Sequence, residues 1–288
     1  MWKVLITGKN SYIGTSVEKW LSKDGKPFQI TTVDTRDDNW KKEDFSQYDT
    51  VFHVAGIAHV DAKKSMEQLY YKVNRDLTLE IAKRAKESGV KQFIFMSSMI
   101  VFHESQSLTS EVITKKTKPS PNGFYGNSKL QADKGLRELE DDDFKVVILR
   151  PPMIYGNDSR GNFLRLVWLA TVTPIFPNWH NKRSMLYIDN LCEFVKQIII
   201  REERGTFYPQ NKELADTVEI VKYFAHAKNH YIFVSSVFNI FVRIGSPFLN
   251  ALNKMFATYY YDQELSKVDF EYHVVSEKES FDIIINSK

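Results

Sequence analysis

The first half of the chain alternates short apolar runs with longer amphipathic segments, and this alternation restricts the fold more than any other feature. The runs are rich in β-branched residues and contain few polar residues, as is typical of parallel strands buried on both faces. A sheet of this kind with helices on both sides is a Rossmann-like, doubly wound α/β fold. The predicted strands are residues 3–7, 28–34, 50–54, 92–97 and 145–149.

Two of the intervening segments, residues 65–88 and 125–139, have the apolar spacing of amphipathic helices. The first of them is followed by Gly89, and glycine commonly ends a helix. A third segment, at 187–200, predicts a return to the sheet, with Asp189 or Asn190 as the helix cap.

The texture of the sequence changes after residue 150, where loops, prolines and aromatic residues become more frequent. We therefore predict two units. A dinucleotide-binding domain is expected from 1–150 plus about 183–205. A smaller, discontinuous C-terminal substrate-binding lobe is expected from about 151–182 and 206–288.

Composition excludes several classes of protein. Lys and Arg number 39 against 36 Asp and Glu, so a net charge of +3 gives no basic field for nucleic acid. Cys192 is the one cysteine, which excludes an intrachain disulfide framework and a cysteine-based zinc site. The N-terminus lacks the pattern of a signal peptide, and together these features predict a cytoplasmic protein.

One apolar stretch, residues 231–261, suggests contact with a membrane. Arg243, a Gly245-Ser246-Pro247 break and Lys254 interrupt it before the roughly 20 apolar residues that a span requires. We predict no integral membrane segment and two amphipathic helices packed on the smaller lobe. Binding at a membrane surface is the alternative.

The first predicted strand runs into a glycine turn that precedes a helix. Such a turn presents backbone N–H groups and the positive end of the helix dipole to a pyrophosphate. Ser11 stands where a G-x-x-G-x-x-G pattern has its middle glycine, and we predict that its hydroxyl contacts phosphate. The residues predicted to bind a dinucleotide here are Gly8, Asn10, Ser11, Tyr12, Ile13 and Gly14.

The second predicted strand ends at Asp34, about 20 residues after Gly14. A carboxylate at this position accepts hydrogen bonds from the adenosine ribose and repels a 2′-phosphate, which favours NAD. Arg36 lies two residues further on and could instead pair with the 2′-phosphate of NADP. NAD is the predicted cofactor, and NADP is the alternative.

Five segments in order carry a resemblance that covers nearly the whole chain. The sequence resembles the extended short-chain dehydrogenase/reductase family, in particular its NAD-dependent epimerase/dehydratase type, which acts on sugar nucleotides. Its compact branch in capsule and O-antigen polysaccharide synthesis is the most similar. The segments are residues 7–14, 52–56, 96–102, 125–129 and 150–156.

The resemblance implies a catalytic set of Ser98, Tyr125 and Lys129. Two Y-x-x-x-K matches occur, but Pro209 disfavours a helix through the one at Tyr208. In the other, Tyr125 and Lys129 would lie one turn apart on one helix face. The neighbouring cation favours the phenolate, so that Tyr125 can take a proton from a sugar hydroxyl.

The same resemblance assigns further contacts to cofactor and substrate. Ser98 and Tyr125 would bind the reacting oxygen of the substrate. Cofactor contacts are implied for Ala55, Gly56, Asn74, Lys129 and Pro152, and substrate contacts for Asn162 and Arg183.

Two departures from the family pattern bear on the reaction. Met153 stands where many members have an asparagine that contacts the substrate. Ser98 is followed by Met99 and Ile100, where the 4,6-dehydratases have an Asp-Glu pair for elimination of water, so dehydration is not expected.

The predicted function is that of a UDP-sugar 4-epimerase that uses NAD in surface polysaccharide precursor synthesis, and the alternative is an NADPH-dependent 4-keto reductase of a UDP-4-keto-6-deoxy-hexosamine. The substrate would be a UDP-hexose or UDP-N-acetylhexosamine, and the family's common assembly implies a homodimer. A non-catalytic nucleotide-binding regulator on the same fold is a third hypothesis.

Histidine positions do not predict a metal site. His53 and His59 lie beside apolar strand residues and are interpreted as structural. His226 and His230 have i, i+4 spacing but lack the glutamate of a metalloprotease motif, so we predict no metal.

Overall fold

A computed structural model describes residues 1–23, 27–58, 64–103, 107–159 and 161–287. The strands are β1 (Trp2–Thr7), β2 (Phe28–Val33), β3 (Thr50–His53), β4 (Gln92–Met96), β5 (Ser110–Ile113), β6 (Lys145–Leu149), β7 (Met153–Tyr155), β8 (Ile175–Pro177), β9 (Met185–Tyr187), β10 (Gly205–Phe207), β11 (Phe233–Ser235) and β12 (Thr258–Tyr261). The helices are α1 (Tyr12–Leu21), α2 (Glu67–Tyr71), α3 (Thr78–Glu87), α4 (Phe124–Arg137), α5 (Asn162–Val172), α6 (Ile188–Ile200), α7 (Thr217–Ala227), α8 (Asn239–Gly245), α9 (Asn250–Phe256) and α10 (Glu277–Asn286).

Six parallel strands form the central sheet in the order β2-β1-β3-β4-β6-β10. This confirms the Rossmann-like, doubly wound parallel sheet, and the five predicted strands are present with ends that differ by at most one residue. The strand order reverses at β1, which lies between β2 and β3. Such a switch point leaves a crevice at the carboxyl ends of the strands, where ligands bind.

The sheet is buried on both faces because its strands are apolar at successive positions. Leu5 and Ile6 are neighbours on β1, and both are fully buried in different core clusters. Ile6 packs in the layer that contains Val17 of α1, whereas Leu5 packs in the layer that contains Ile81 of α3. Each such side chain contributes roughly 1.5–3 kcal/mol through burial.

The helix predicted at 65–88 is interrupted by an irregular turn. A π-helical segment, Lys72–Leu77, joins α2 to α3, and Gly89 follows at a φ of +82°, as expected of a helix stop. The other predicted helix, at 125–139, corresponds to α4.

The helix predicted within residues 187–200 is present as α6, but its predicted cap is wrong. Strand β9 pairs with β7 outside the central sheet, and β10 is the strand that joins the sheet edge. The cap residue of α6 is Tyr187. Asn190 is instead buried within the helix, where its amide donates to Asn211 Oδ1 and Val275 O.

Strands that follow β6 form three two-stranded parallel pairs, β7 with β9, β8 with β11 and β12 with β5. The last pair joins the C-terminal part of the chain to residues 110–113. Two tyrosine hydroxyls reinforce it, since Tyr259 donates to His103 O at 2.9 Å and Tyr261 donates to Arg150 O at 2.8 Å.

The apolar stretch at 231–261 contains two short helices, α8 and α9, but its large apolar side chains do not all pack inward. Val237, Ile240, Phe241, Ile244 and Phe248 are between 50% and 83% exposed, and we call these five residues the apolar stripe. The sequence predicted that such a face would be covered by the lobe, and this is wrong for these residues. No helix in the described part of the chain has the length and apolar character to cross a bilayer.

Candidate active site

The turn after β1 is built around a glycine that no other residue could replace without strain. Gly8 has a φ of +115°, and a Cβ on it would lie 2.9 Å from Ala55 N. The turns after β1 and β3 therefore touch through bare backbone, and Ala55 donates to Thr7 O at 3.0 Å. Asn10 also has a positive φ, of 64°, which completes the reversal into α1.

Ser11 caps the helix that follows this turn. Its hydroxyl accepts a hydrogen bond from Gly14 N at 3.1 Å, and a Cβ on Gly14 would lie 2.6 Å from the same oxygen. The hydroxyl proton is still available to a phosphate oxygen, so the predicted contact stays a prediction. The amides of Tyr12 and Ile13 open the helix, where they have no carbonyl one turn earlier and can face an anion.

Tyr12 turns its phenol away from solvent. The hydroxyl is buried without a hydrogen-bond partner among the described residues. A Cβ on Gly156 would come 2.3 Å from this oxygen, so the glycine after β7 makes room for it. Burial raises the pKa of Tyr12 well above its ordinary value, which keeps the phenol neutral.

Asp34 and Arg36 are paired with each other just beyond β2. The guanidinium Nε lies 3.0 Å from both carboxylate oxygens of Asp34, and Arg36 N donates to Oδ1 at 3.0 Å. These hydrogen bonds lower the pKa of Asp34 to about 2, so the carboxylate is charged at neutral pH. Arg36 would have to leave this pair to bind a 2′-phosphate.

Asn74, in the π-helical segment, holds the loop that follows β3 through hydrogen bonds of its side chain. Its Oδ1 accepts from Ile57 N at 2.8 Å, and its amide donates to Ile57 O and to Ser128 Oγ. Gly56 lies against this amide, and a Cβ there would be 3.1 Å from both Asn74 Oδ1 and Lys129 Nζ. The structure thus brings together Gly56, Asn74 and Lys129, three of the predicted cofactor residues.

Lys129 is a buried cation with one oxygen partner among the described residues. It is 4% exposed, donates to Met96 O at 2.8 Å and lies 4.5 Å above the ring of Phe95. Burial lowers its pKa to about 8, so the ammonium carries its charge at pH 7 but at a cost. A cation in this position would be stabilised by the ribose hydroxyls of a nucleotide.

The catalytic pair predicted on α4 has the expected helical geometry, since Tyr125 and Lys129 lie one turn apart in a single helix. The second Y-x-x-x-K match, at Tyr208, begins just after β10 and lies outside every described helix. The ring of Tyr125 packs edge-on against the buried Tyr70, with centroids 5.9 Å apart. This contact limits the positions open to the phenol.

Gly126 lets the start of α4 approach the turn that follows Ser98. A Cβ on Gly126 would lie 2.6 Å from Ile100 O, so α4 begins in direct contact with the turn that follows Ser98. Ser98 caps that turn, and its hydroxyl accepts from Ile100 N at 3.3 Å. Met99 N donates to Pro151 O at 2.9 Å, which attaches the same turn to the buried segment containing Pro152.

Sequence reasoning missed a buried ion pair one turn beyond Lys129. Asp133, fully buried on α4, accepts from Arg150 Nε at 2.9 Å and from its terminal nitrogen at 2.8 Å. The opposite charges of Asp133 and Arg150 compensate each other one helical turn from Lys129. The ion pair also connects the end of β6 to α4. No local spacing in the sequence indicates this pair, because Asp133 and Arg150 lie 17 residues apart.

The two predicted substrate residues differ in their surroundings. Asn162 is exposed at the start of α5. Arg183 is held by its backbone, which pairs with Ala215, and its guanidinium has no hydrogen-bond or ion-pair partner within the described ranges. Burial lowers the pKa of Arg183 to about 10, and an anion beside it would relieve this cost.

His53 is a structural residue, as interpreted from the sequence. Its Nδ1 lies 2.6 Å from Thr7 Oγ1 and its Nε2 lies 2.9 Å from Thr78 Oγ1, so both ring nitrogens are satisfied. Burial lowers the pKa of His53 to about 3, and the ring stays neutral. His59 lies outside the described residues.

Metal ligands do not gather elsewhere in the described structure. No group of three or more His, Cys, Asp or Glu side chains is placed to hold an ion among residues 1–23, 27–58, 64–103, 107–159 and 161–287. His230 instead lies 2.9 Å from the carbonyl of Thr173 through its Nε2.

Comparison with known families and proteins agrees with this geometry. The model of the NAD dependent epimerase/dehydratase family matches residues 4–208. The chain is similar to a UDP-glucose 4-epimerase from Vibrio cholerae, with 32% identity over 67% of this chain and 65% of the relative. It is also similar to an N-acetyl-α-D-glucosaminyl-diphospho-ditrans,octacis-undecaprenol 4-epimerase from Escherichia coli O157:H7, with 30% identity over 67% of this chain and 62% of the relative. The matches thus span slightly less than two thirds of these curated relatives.

Solved structures share the fold over almost the full chain. A UDP-glucuronic acid 4-epimerase from Bacillus cereus in complex with NAD has a TM-score of 0.72 and 17% identity, covering 99% of both chains. A dTDP-4-dehydrorhamnose reductase from Yersinia enterocolitica has a TM-score of 0.74 and 18% identity, covering 100% of this chain and 99% of its own. An epimerase and a reductase are therefore about equally similar in fold.

Proposed function

This chain belongs to the NAD dependent epimerase/dehydratase family, and from that premise we propose that it is a sugar-nucleotide 4-epimerase that works with NAD. One observation carries the proposal. Tyr125 and Lys129 share a face of α4, and Gly126 lies against the turn that Ser98 caps. Both curated relatives are named 4-epimerases, which supports reaction at C4 of a sugar.

The residues that would hold NAD fit the group. Gly8 leaves room for a pyrophosphate beside the first amides of α1, and Asp34 would accept from the adenosine ribose. Gly56 and Lys129 would lie along the nicotinamide half, with Ala55, Asn74 and Pro152 lining the same crevice. When bound, NAD supplies a hydride acceptor that can return the hydride to the opposite face of the sugar.

The chain's own residues move the proton. Tyr125 would take the proton of the C4 hydroxyl as the hydride leaves that carbon, and return it when the keto sugar is reduced. Lys129 is a cation below its pKa of about 8 and would favour the phenolate form of Tyr125. Ser98 would donate a hydrogen bond to the same sugar oxygen.

The Asp34–Arg36 pair supports NAD over NADP. Asp34 is charged above about pH 2 and would repel a 2′-phosphate, while its hydrogen bonds to Arg36 occupy the guanidinium that such a phosphate would need. An epimerase reduces and reoxidises its bound NAD within one turnover, so it needs no supply of NADPH.

A sugar diphosphate fits the substrate end. The guanidinium of Arg183, which is unpaired within the described ranges, would bind the diphosphate, with Asn162 at the start of α5 as a second contact. We propose a UDP-linked hexose or N-acetylhexosamine as the substrate, in a cytoplasmic pathway of surface polysaccharide synthesis.

A second candidate substrate is the same sugar and diphosphate carried by a polyprenol, the substrate for which the Escherichia coli relative is named. The observation that favours it is the solvent-facing apolar stripe. The two candidates differ in the group beyond the diphosphate, so the proton chemistry of Tyr125 is the same for both.

The first test is to denature freshly purified protein and identify any released nucleotide by mass spectrometry. Near-stoichiometric NAD is expected, with interconversion of UDP-GlcNAc and UDP-GalNAc, or of UDP-glucose and UDP-galactose, without added cofactor. An empty protein that binds NADPH better than NADH and reduces a UDP-4-keto sugar would replace the epimerase with the 4-keto reductase.

Removing one hydroxyl tests the role of Tyr125. We expect Tyr125→Phe to lower turnover by about 10²–10⁴-fold because it deletes the proton carrier, while bound NAD is retained. Turnover is measured by separation of the epimeric sugars, and Tyr260→Phe, at a partly exposed position on β12, is the matched control. Unchanged turnover in Tyr125→Phe would remove this residue from the mechanism.

A further inference from the structure

The apolar stripe has the spacing of a core-facing helix surface but points outward. Its members lie at i, i+3, i+4, i+7 and i+11 across α8 and its flanks, the repeat that normally faces a protein core. Phe241 is 64% exposed and Phe248 is 83% exposed, whereas Val242, on the other side of α8, is 1% exposed. The helix therefore already packs through Val242, and the stripe is a second face without a covering element in the described structure.

Neighbouring elements extend the apolar surface. Phe233 on β11 is 52% exposed and pairs in register with Ile175 on β8, which is 48% exposed. Tyr231 just before β11 is 81% exposed, and Trp168 on α5 is 60% exposed. Aromatic side chains with a polar tip, such as Tyr and Trp, are favoured where water meets a lipid bilayer.

Charge distribution points to an anionic partner. Residues 159–188 and 220–261, which contain all these side chains, include no Asp or Glu, although acidic residues fill 36 of the 288 positions in the chain. The same segments carry exposed Arg165, Lys228 and Arg243. None of these three cations has an ion-pair partner among the residues that the structure describes, and Arg243 instead lies 5.8 Å from the ring of Trp179.

We propose that this surface docks the protein on an anionic phospholipid bilayer, with the apolar stripe inserted at the headgroup level and the cations facing lipid phosphates. An amphipathic segment with aromatic and aliphatic side chains and flanking Lys and Arg is the kind that binds in the plane of a membrane. A second copy of the chain fits less well, because a symmetric interface would bring Arg165, Lys228 and Arg243 onto segments, 159–188 and 220–261, that contain no Asp or Glu.

Docking here would orient the substrate end of the molecule toward the lipid. Asn181, two residues before Arg183, donates to Met255 O at 3.0 Å and to Ala257 O at 3.1 Å, at the end of α9. Arg183 itself forms a β-bridge with Tyr259. The proposed diphosphate contact is thus joined to the end of α9, the helix that follows α8 in the chain. The docking proposal rests on this surface and does not require the proposed reaction to be correct.

The test is cosedimentation of the full chain with vesicles of phosphatidylcholine alone and of phosphatidylcholine mixed with phosphatidylglycerol. We expect binding to the anionic vesicles that weakens as salt is raised, and little binding to phosphatidylcholine alone. The Phe241→Gln/Ile244→Gln double variant should bind anionic vesicles at least about tenfold more weakly. A Val112→Gln/Val274→Gln double variant replaces two apolar side chains that are 37% and 46% exposed elsewhere and should bind like the parent.

Several outcomes would overturn the proposal. One is absence of binding to anionic vesicles, and another is binding that the Phe241→Gln/Ile244→Gln variant retains in full. A third is a concentration-dependent dimer that this variant converts to a monomer, without vesicle binding by the parent. Circular dichroism melting of each variant separates these results from misfolding, and the epimerase assay on UDP-sugars reports the reaction independently.

Discussion

Two parts of the chain differ in how they bury apolar side chains and pair cations. We call them the nucleotide-binding half, residues 1–150 with the nucleotide site proposed above, and the C-terminal lobe, which follows it. In the first, the apolar faces of the helices are covered, with Val17 and Ile81 fully buried. The cation just beyond β2, Arg36, is paired with the carboxylate of Asp34. In the second, Phe241 and Ile244 face solvent from the apolar stripe. Three cations of the same region, Arg165, Lys228 and Arg243, lack ion-pair partners in the described ranges.

This difference teaches what an apolar repeat can and cannot establish. The repeat predicts a surface that will be removed from water, but the covering element can lie outside the molecule. The nucleotide-binding half covers its repeats with its own sheet. In the C-terminal lobe, the apolar stripe stays exposed and is available to bind a partner. The absence of Asp and Glu from segments 159–188 and 220–261 favours an anionic partner.

The largest expected effect comes from truncating one phenylalanine in each region. Phe52 on β3 is fully buried, so Phe52→Ala should lower the free energy of unfolding by about 3–5 kcal/mol. Phe241→Ala, at a 64% exposed position, should change it by less than about 0.5 kcal/mol. Urea unfolding of both variants makes the measurement. If both variants lost the same free energy of unfolding, the apolar stripe would have to pack within the monomer, and the two regions would not differ in burial.

Lys129 is the exception in the nucleotide-binding half, because its buried charge is costly. Lys129→Met should lower epimerase turnover more than about 100-fold and yet raise the free energy of unfolding at pH 7 by about 1–3 kcal/mol. Burial lowers the pKa of Lys129 to about 8, below the ordinary lysine value of 10.5.

The sign of the pH dependence follows from this lowered pKa. Below pH 8 the folded protein holds a buried ammonium, so the variant's advantage is complete there. As pH rises from about 8 to 10.5 the native lysine is already neutral while the unfolded one is still charged, so the parent gains stability and the difference disappears. Thermal melts across this range, with exposed Lys134→Met as control, check it. A constant difference across this range would contradict the buried-charge explanation.

The smallest effect concerns the pair that separates NAD from NADP. Asp34→Asn removes the charge that repels a 2′-phosphate and frees Arg36 from its carboxylate, so NADP affinity relative to NAD should rise by about tenfold. Titration with both cofactors measures the ratio, and the Tm should be unchanged because the pair is exposed. An unaltered ratio would place the ribose contact elsewhere.

The sequence predicted the nucleotide-binding half well because its signals are local. Buried parallel strands are continuous apolar runs, so β6 at Lys145–Leu149 is predicted to the residue. The Gly8 turn and the helix stop at Gly89 depend on the backbone freedom of one residue type, and both glycines have a positive φ. Tyr125 and Lys129 could be placed because helical spacing alone sets their common face.

The features that the sequence did not predict depend mostly on contacts between segments that are distant in the chain. Nothing near Asn190 in the sequence indicates that its amide binds Asn211 and Val275, so the helix cap predicted there was wrong. The ion pair of Asp133 with Arg150 joins α4 to the end of β6. The outward stripe could not be told from a core face because both have the same period.

The pairing of β12 with β5 has a consequence for anyone who would shorten or recombine this chain. The hydroxyl of Tyr261 reaches Arg150 O, and β5 has its described strand partner in the C-terminal lobe. A gene fragment ending at residue 150 would express a nucleotide-binding half with a bare strand edge at residues 110–113. For exchange of substrate lobes between relatives, the unit to be transplanted must therefore include β5 together with β12.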